Sequence, residues 1–151
     1  MDVGKWQTIF GRYEAASFTV NKRFGSLVKE KLQDVLTIDQ QMTLSYIKRF
    51  GSCTTTELAE AFCVNKSAIT AIVTRLNEKG YIHRDRDEKD RRIVYLRLTE
   101  EGEKVFQWAD EKVFEVVSPY LKIFSEEEIE TFLKLYEKLA SVSNEGAGEE
   151  K

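Results

Sequence analysis

Apolar residues recur at steps of three and four from Trp6 through Ile9, Phe10, Tyr13, Ala16, Val20, Phe24, Leu27 and Val28. A helix turns once every 3.6 residues, so this spacing gathers them on one face and predicts a long amphipathic helix that fades near Leu32. Thr37, with Gln40 three residues on, has the form of a capping box. It opens a second helix that carries Leu44 and Ile47 and stops at Gly51. Thr54 with Glu57 repeats the signal and predicts a third helix over 55–62 that buries Leu58, Ala59 and Phe62. Only Cys63, Val64 and Asn65 separate it from a fourth helix over 66–79. Asn65 caps that helix, its apolar set is Ala68, Ile69, Ile72, Val73 and Leu76, and Gly80 ends it.

The period then falls from about 3.6 to 2. Residues 81–84 and 93–98 alternate and are rich in aromatic and β-branched types, while Asp85 to Arg92 between them are all charged. This predicts a β-hairpin with a long charged tip. Thr99 caps the next helix, with Glu100 and Glu101 in the first turn, where the helix dipole favours anions. Its apolar positions include Val105, Phe106, Trp108, Val113, Val116 and Val117. Ser118-Pro119 is expected to break or kink it, because the residue before proline avoids helical angles. Ser125 with Glu128 opens a last helix through Ile129, Phe132, Leu133, Tyr136, Leu139 and Ala140. From Ser143 the chain is rich in Gly and Glu and is expected to be disordered.

The composition fits this helical, foldable pattern. Apolar residues make up 42% and Pro119 is the single proline, which excludes a disordered chain. Two cysteines exclude a disulfide-built scaffold, and a single histidine, His83, argues against metal and histidine-based catalytic sites. No run of eighteen apolar residues is present, and the N-terminus lacks an apolar signal core. A soluble chain in a reducing, cytoplasmic setting, without membrane association, is the expectation. No glycine-rich phosphate loop or nucleophile elbow occurs, so neither an enzyme nor a cofactor site is expected. Charge is distributed unevenly. Residues 48–99 hold eleven basic and seven acidic side chains, net +4, whereas residues 100–151 are net −8. A basic middle in an acidic chain suits a polyanion-binding surface.

A helix, a three-residue turn, a second helix and a charged hairpin make a winged helix-turn-helix. Such a motif docks its second helix in the major groove of DNA. Away from Ile69, Ile72, Val73 and Leu76, that helix shows Ser67, Thr70, Ala71, Thr74 and Arg75, with Lys66 at its start. Hydroxyls there can bond base edges or phosphates, and Ala71 can touch a thymine methyl. No acid lies on this face before Glu78. Thr54 and Asn65 cap helices whose N-terminal amides could meet phosphate. The wing carries Arg84, Arg86, Lys89, Arg91 and Arg92 among Asp85, Asp87, Glu88 and Asp90. An Asp two residues before an Arg can hold its guanidinium in one orientation. A solvated, self-compensating turn is an equally open reading of the composition.

The run from Leu36 to Gly102 resembles the MarR family of winged-helix transcriptional regulators. The matching pieces are LTIDQQMTL, TTTELAEAFCVNKSAITAIVTRLNEKGYI, DEKDRR and LRLTEEG. A wing ending in Asp-Arg-Arg, followed by a strand and Leu-Thr-x-x-Gly, is the most specific of them, and one long helix before and two after also fit. The resemblance implies a homodimer built from the N- and C-terminal helices, binding double-stranded DNA. Each recognition helix would enter the major groove, and each wing would reach the adjacent minor groove through Arg92, with Asp90 two residues before it. It implies contacts at Lys66, Ser67, Thr70, Ala71, Thr74 and Arg75 and along the wing at Arg86, Lys89, Asp90, Arg91 and Arg92. It further implies a repressor released by a small lipophilic or phenolic effector, by a metal or by cysteine oxidation. One departure is Cys63, where the family commonly has Gly. A left-handed turn there would strain a Cys.

The expected fold is therefore mainly α with a small β-hairpin wing. A dimerisation helix occupies residues 1–34, the DNA-binding lobe 35–99, dimerisation helices 100–142 and an acidic tail 143–151. Dimerisation also has a basis in surface area. The outer helices carry Trp6, Ile9, Phe10, Tyr13, Phe132 and Tyr136 among other aromatics, more apolar surface than a sixty-residue lobe can cover. Cys53 and Cys63 read most simply as buried small hydrophobes, with Cys63 near Lys66 as a candidate redox switch. Cys53, Cys63 and His83 match no zinc spacing, so no metal is expected. Tyr13, Phe24 and Phe50 could line an effector cleft but serve more simply as core. The alternative functions are a winged-helix protein-interaction module that does not read DNA, and a cysteine-based redox regulator.

Overall fold

The computed structural model describes residues 2–146. The chain divides into two compact units, residues 1–114 and 115–151. The first unit contains α1 (Val3–Leu32), α2 (Ile38–Phe50), β1 (Cys53–Thr54), α3 (Thr55–Ala61), α4 (Lys66–Glu78), β2 (Ile82–Arg86) and β3 (Val94–Leu98). It also contains the start of α5 (Glu100–Leu121), and the second unit holds α6 (Glu126–Gly146). The mainly helical class with a β-hairpin wing is as the sequence predicts. The sheet has one strand more, because β1 pairs antiparallel with β3 and gives the order β1-β3-β2.

Local chemistry sets most helix starts. Gln40 N–H donates to Thr37 Oγ1 at 3.1 Å, and Thr37 N–H donates to Gln40 Oε1 at 3.2 Å. Thr54 and Glu57 make the same reciprocal pair at 3.1 and 2.9 Å, and Ser125 and Glu128 at 3.2 and 2.8 Å. Asn65 Oδ1 accepts from Ala68 N–H at 2.9 Å. Each satisfies a donor that the helix leaves open, and replacing such a cap by Ala costs about 1 kcal/mol.

Three sequence expectations change. Pro119 sits inside α5 without ending it. Proline forfeits only the bond back to residue 115, and α5 stops two residues later, so the loss falls within the last turn. Residues 143–146 are helical and not disordered, because α6 continues through Gly146, with Ser143 Oγ donating to Leu139 O at 2.8 Å. Residues 147–151 of the expected tail lie outside the described residues. Ala68 is exposed instead of packed. It occupies the first turn of α4, one residue before the buried stripe that begins at Ile69.

The core of the first unit is closed. Leu32, Leu44, Ile47, Leu58, Ile69, Leu76, Ile82 and Leu96 retain no more than 1% of their surface. Each such side chain contributes about 1.5–3 kcal/mol by leaving water. The Leu-Thr-x-x-Gly run fastens the start of α5 to the turn between α4 and β2. Thr99 donates from its hydroxyl to Gly80 O at 2.6 Å and from its amide to Tyr81 O at 3.0 Å. Gly102 N–H returns to Thr99 Oγ1 at 2.9 Å. A Cβ on Gly102 would fall 1.9 Å from Tyr81 O, so glycine is required for this approach.

Candidate nucleic-acid interface

Helices α3 and α4 meet through a turn only three residues long. Val64 N–H reaches back to Ala59 O at 3.1 Å, and Cys63 N–H to Glu60 O at 3.1 Å. To close this turn, Cys63 takes φ +53°, in the left-handed region. A side chain there adds about 1–2 kcal/mol of strain relative to glycine. The turn is therefore made with the geometry the departure from Gly put in question, and the strain is tolerated.

Helix α4 separates its faces cleanly. Ile69, Val73 and Leu76 are buried, and Ile72 is half-buried. Lys66, Ser67, Thr70, Ala71 and Arg75 are exposed, and Thr74 is half-buried. The six predicted recognition residues thus share the outer side of one helix. Asn65, which caps it, and Thr54, which caps α3, lie at helix N-termini.

The wing is an antiparallel ladder, with Ile82 opposite Leu98 and Arg86 opposite Val94. β2 runs further toward the tip than the pattern suggests, taking in Asp85 and Arg86, while β3 begins one residue later, at Val94, which leaves 87–93 as the tip. Hydrogen bonds organise that tip. Asp87 Oδ1 accepts from the amides of Lys89 and Asp90 at 2.8 and 2.9 Å, as in a tight Asx turn. Arg86 Nη1 donates to Arg91 O at 2.9 Å. Asp90 accepts from Arg92 Nε at 2.9 Å and from Nη2 at 2.9 Å through its two oxygens, and from Arg92 N–H at 3.1 Å. The Arg92 side chain is nevertheless 91% exposed. The fork-to-fork pair fixes the guanidinium's direction without hiding it. The hydrogen bond from Arg92 holds the Asp90 carboxyl below the usual carboxylate range, and the same bond raises Arg92 further. Of the two sequence readings of the mixed charges, steering now has a geometry. Lys89 and Arg91 are exposed on the same tip.

Between α4 and the wing lies a groove of about 410 Å³, lined by Thr70 and Val73 of α4, Arg84 and Arg86 of β2, Val94 of β3 and Thr55. Arg84 and Arg86 are two residues apart on one strand and so share a face. Asn77, in the last turns of α4, links the two elements. It donates from Nδ2 to Ile82 O at 3.0 Å and accepts from Arg84 Nη2 at 3.3 Å. Sequence reasoning missed Asn77, because its partners lie beyond the Gly80 turn and no periodicity points to them.

One cysteine meets the expectation of burial and the other does not. Cys53 is buried, and burial, with help from Glu57, pushes its thiol up to about 11. Cys63 is exposed, because a left-handed residue at a surface turn has no core to enter. Tyr13 and Phe50 are likewise exposed and not core. Phe50 packs on Tyr46, with ring centroids 4.5 Å apart, and Phe24 is half-buried. Trp6, Ile9, Phe10 and Tyr13 on α1, and Phe132 and Tyr136 on α6, are all exposed. His83 is exposed on β2. Among the described residues, no group of three or more His, Cys, Asp or Glu side chains is placed to hold a metal, and no helix is long and apolar enough to cross a membrane.

Comparison with known proteins agrees with this geometry. The model of the MarR family matches residues 36–94, from the start of the lobe into β3. The HTH-type transcriptional regulator YpoP of Bacillus subtilis is 33% identical over 120 residues, which cover 80% of this chain and 85% of that protein. The HTH-type transcriptional repressor MdtR of the same organism is 33% identical over 108 residues, 72% of this chain and 70% of the relative. Among solved structures, a mutant MarR from E. coli complexed with operator DNA superposes with a TM-score of 0.73 at 25% identity, covering 92% of this chain and 99% of the other. The lobe, its wing and these likenesses agree, and the chain belongs to the MarR family of winged helix-turn-helix transcriptional regulators.

Proposed function

We propose that the protein binds double-stranded DNA as a homodimer at an inverted-repeat operator and represses transcription by occupying it. In this reading Lys66, Ser67, Thr70, Ala71, Thr74 and Arg75 face base edges and phosphates of the major groove. The wing, through Arg86, Lys89, Arg91 and Arg92, reaches the adjacent minor groove. The observation that carries it is the Asp90–Arg92 pair, a guanidinium aimed by two side-chain hydrogen bonds yet 91% exposed at the tip of the wing. An arginine needed only for solubility has no use for a fixed direction, whereas insertion into a narrow groove demands one. Lysines and arginines supply affinity through phosphates, and the face of α4 supplies sequence choice. Release by a small lipophilic or phenolic effector belongs to the same proposal and is supported by the family resemblance.

The test is selection of duplexes from a random pool by the purified protein, followed by binding across a salt series. The expected product is an inverted repeat with half-sites about one helical turn apart. Its affinity should fall steeply with salt, and Arg92→Ala should weaken binding about tenfold or more while flattening preference at the narrow-groove positions. Equal, weak binding to all sequences would instead favour a protein-interaction module, and unchanged binding by Arg92→Ala would remove the wing from the interface.

A further inference from the structure

The geometry points to Asn77 as the residue that sets the pitch of the wing against the recognition helix. This inference rests on the reading that both elements touch DNA. If they do, the distance between the α4 face and the tip at Arg92 must match the spacing of adjacent grooves, and something must hold it. Covalently, α4 and β2 are joined only through Lys79, Gly80 and Tyr81, with Gly80 at φ +78°. Backbone bonds from Gly80 to Asn77 O at 2.9 Å and from Tyr81 to Leu76 O at 3.0 Å close this turn. They do not reach along the strand.

Asn77 does reach along it. Its amide nitrogen holds the carbonyl of Ile82, and its amide oxygen holds the guanidinium of Arg84. The two partners are one strand repeat apart, about 6–7 Å along β2. The ladder to β3 ties the strand along its inner side, and a single anchor on the outer side would hold it to α4 at one point only. Two anchors along its length also fix its direction. β2 is an edge strand, since the sheet order is β1-β3-β2, so no further strand on its outer side does this work. Arg84 then lines the groove beside Arg86 and opposite Thr70. Asparagine is a poor helix former and would not be chosen for helix stability in the last turns of α4. Its value here is that one short side chain both donates and accepts. Asn77 is a positioning residue, because it need not touch DNA itself.

A double-mutant cycle separates positioning from mere structural support. Asn77→Leu keeps the size of the side chain and removes both bonds, and Arg92→Ala removes the tip contact. Binding is measured on the duplex that the wild-type protein enriches from a random pool, with thermal melting confirming that each variant is folded at the assay temperature. Asn77→Leu is expected to weaken binding by about tenfold in the wild-type background and by less than about twofold in the Arg92→Ala background, because a wing already without its tip contact gains little from being aimed. Asn77→Asp, which keeps the acceptor for Arg84, is expected to recover part of the loss. Equal effects of Asn77→Leu in both backgrounds, or no effect in either, would overturn the inference and leave the DNA-binding reading standing. A wild-type protein that enriches no duplex would overturn both.

Discussion

Leu76 and Phe132 are both large apolar residues on amphipathic helices, yet Leu76 has no exposed surface and Phe132 is 61% exposed. The contrast extends to their neighbourhoods. Around Leu76, α2, α3, α4 and the sheet close a core over Leu44, Ile47, Leu58, Ile69, Ile82 and Leu96. Around Phe132, the second unit leaves Leu135, Tyr136, Leu139 and Val142 open, with Phe132 and Tyr136 stacked at 5.4 Å. A hollow of about 300 Å³, lined by Leu121, Phe124, Ile129, Phe132 and Leu133, opens in the same unit. The same residue types thus mean different things. In the lobe they are a finished core. On α6, and on α1 at Trp6, Ile9, Phe10 and Tyr13, they are a surface that calls for a partner, and the proposed second copy supplies it.

The sharpest way to test this division is to damage each side in turn. Leu76→Ala should lower the stability of the lobe by about 2–5 kcal/mol, because it opens an apolar cavity in a closed core. A thermal melt at fixed protein concentration would register the change, and a shift within error would mean that the lobe core is not closed as described. Phe132→Ser together with Tyr136→Ser should leave the lobe's packing intact and raise the dimer dissociation constant by about 100-fold, since buried aromatics dominate interface energetics. Sedimentation over a dilution series would measure it, and an unchanged constant would place the dimer contact elsewhere. The smallest effect concerns the cysteines. The thiolate is the reactive form, and Cys53 stays protonated until the pH approaches about 11, so at pH 8 iodoacetamide should label Cys63 and spare Cys53. Leu76→Ala should then speed labelling of Cys53 by letting the lobe open. Equal labelling of both thiols in the wild-type protein at pH 8 would contradict the burial of Cys53.

Most of the lobe, and the start of α6, were legible because their determinants are local. Thr37-x-x-Gln40, Thr54-x-x-Glu57 and Ser125-x-x-Glu128 state their capping boxes within four residues, and the stripe from Ile69 to Leu76 states which way α4 faces. The orientation of Arg92 was foreshadowed by Asp90 for the same reason. What escaped was non-local or nearly patternless. β1 is two residues long and has no periodicity to show, so its pairing with β3 could not be read. Gln33 and Asp34 take φ +50° and +60° where α1 ends, with no glycine to announce it. Cys63 was weighed as a hydrophobe, but the left-handed turn that it completes keeps it at the surface. Pro119 was given its average effect, which is small when only one turn of helix remains. Asn77 acts across a turn on partners that nothing in a linear pattern links to it.

The proposed assembly is two copies of this chain on one DNA site. The mass of the purified protein in solution, alone and on a duplex carrying its selected inverted repeat, tests it most directly. Two protomers free and two per duplex, with the wild-type complex lost on mutating either half-site, is the result this account requires. A monomer in solution that occupies each half-site independently would contradict it.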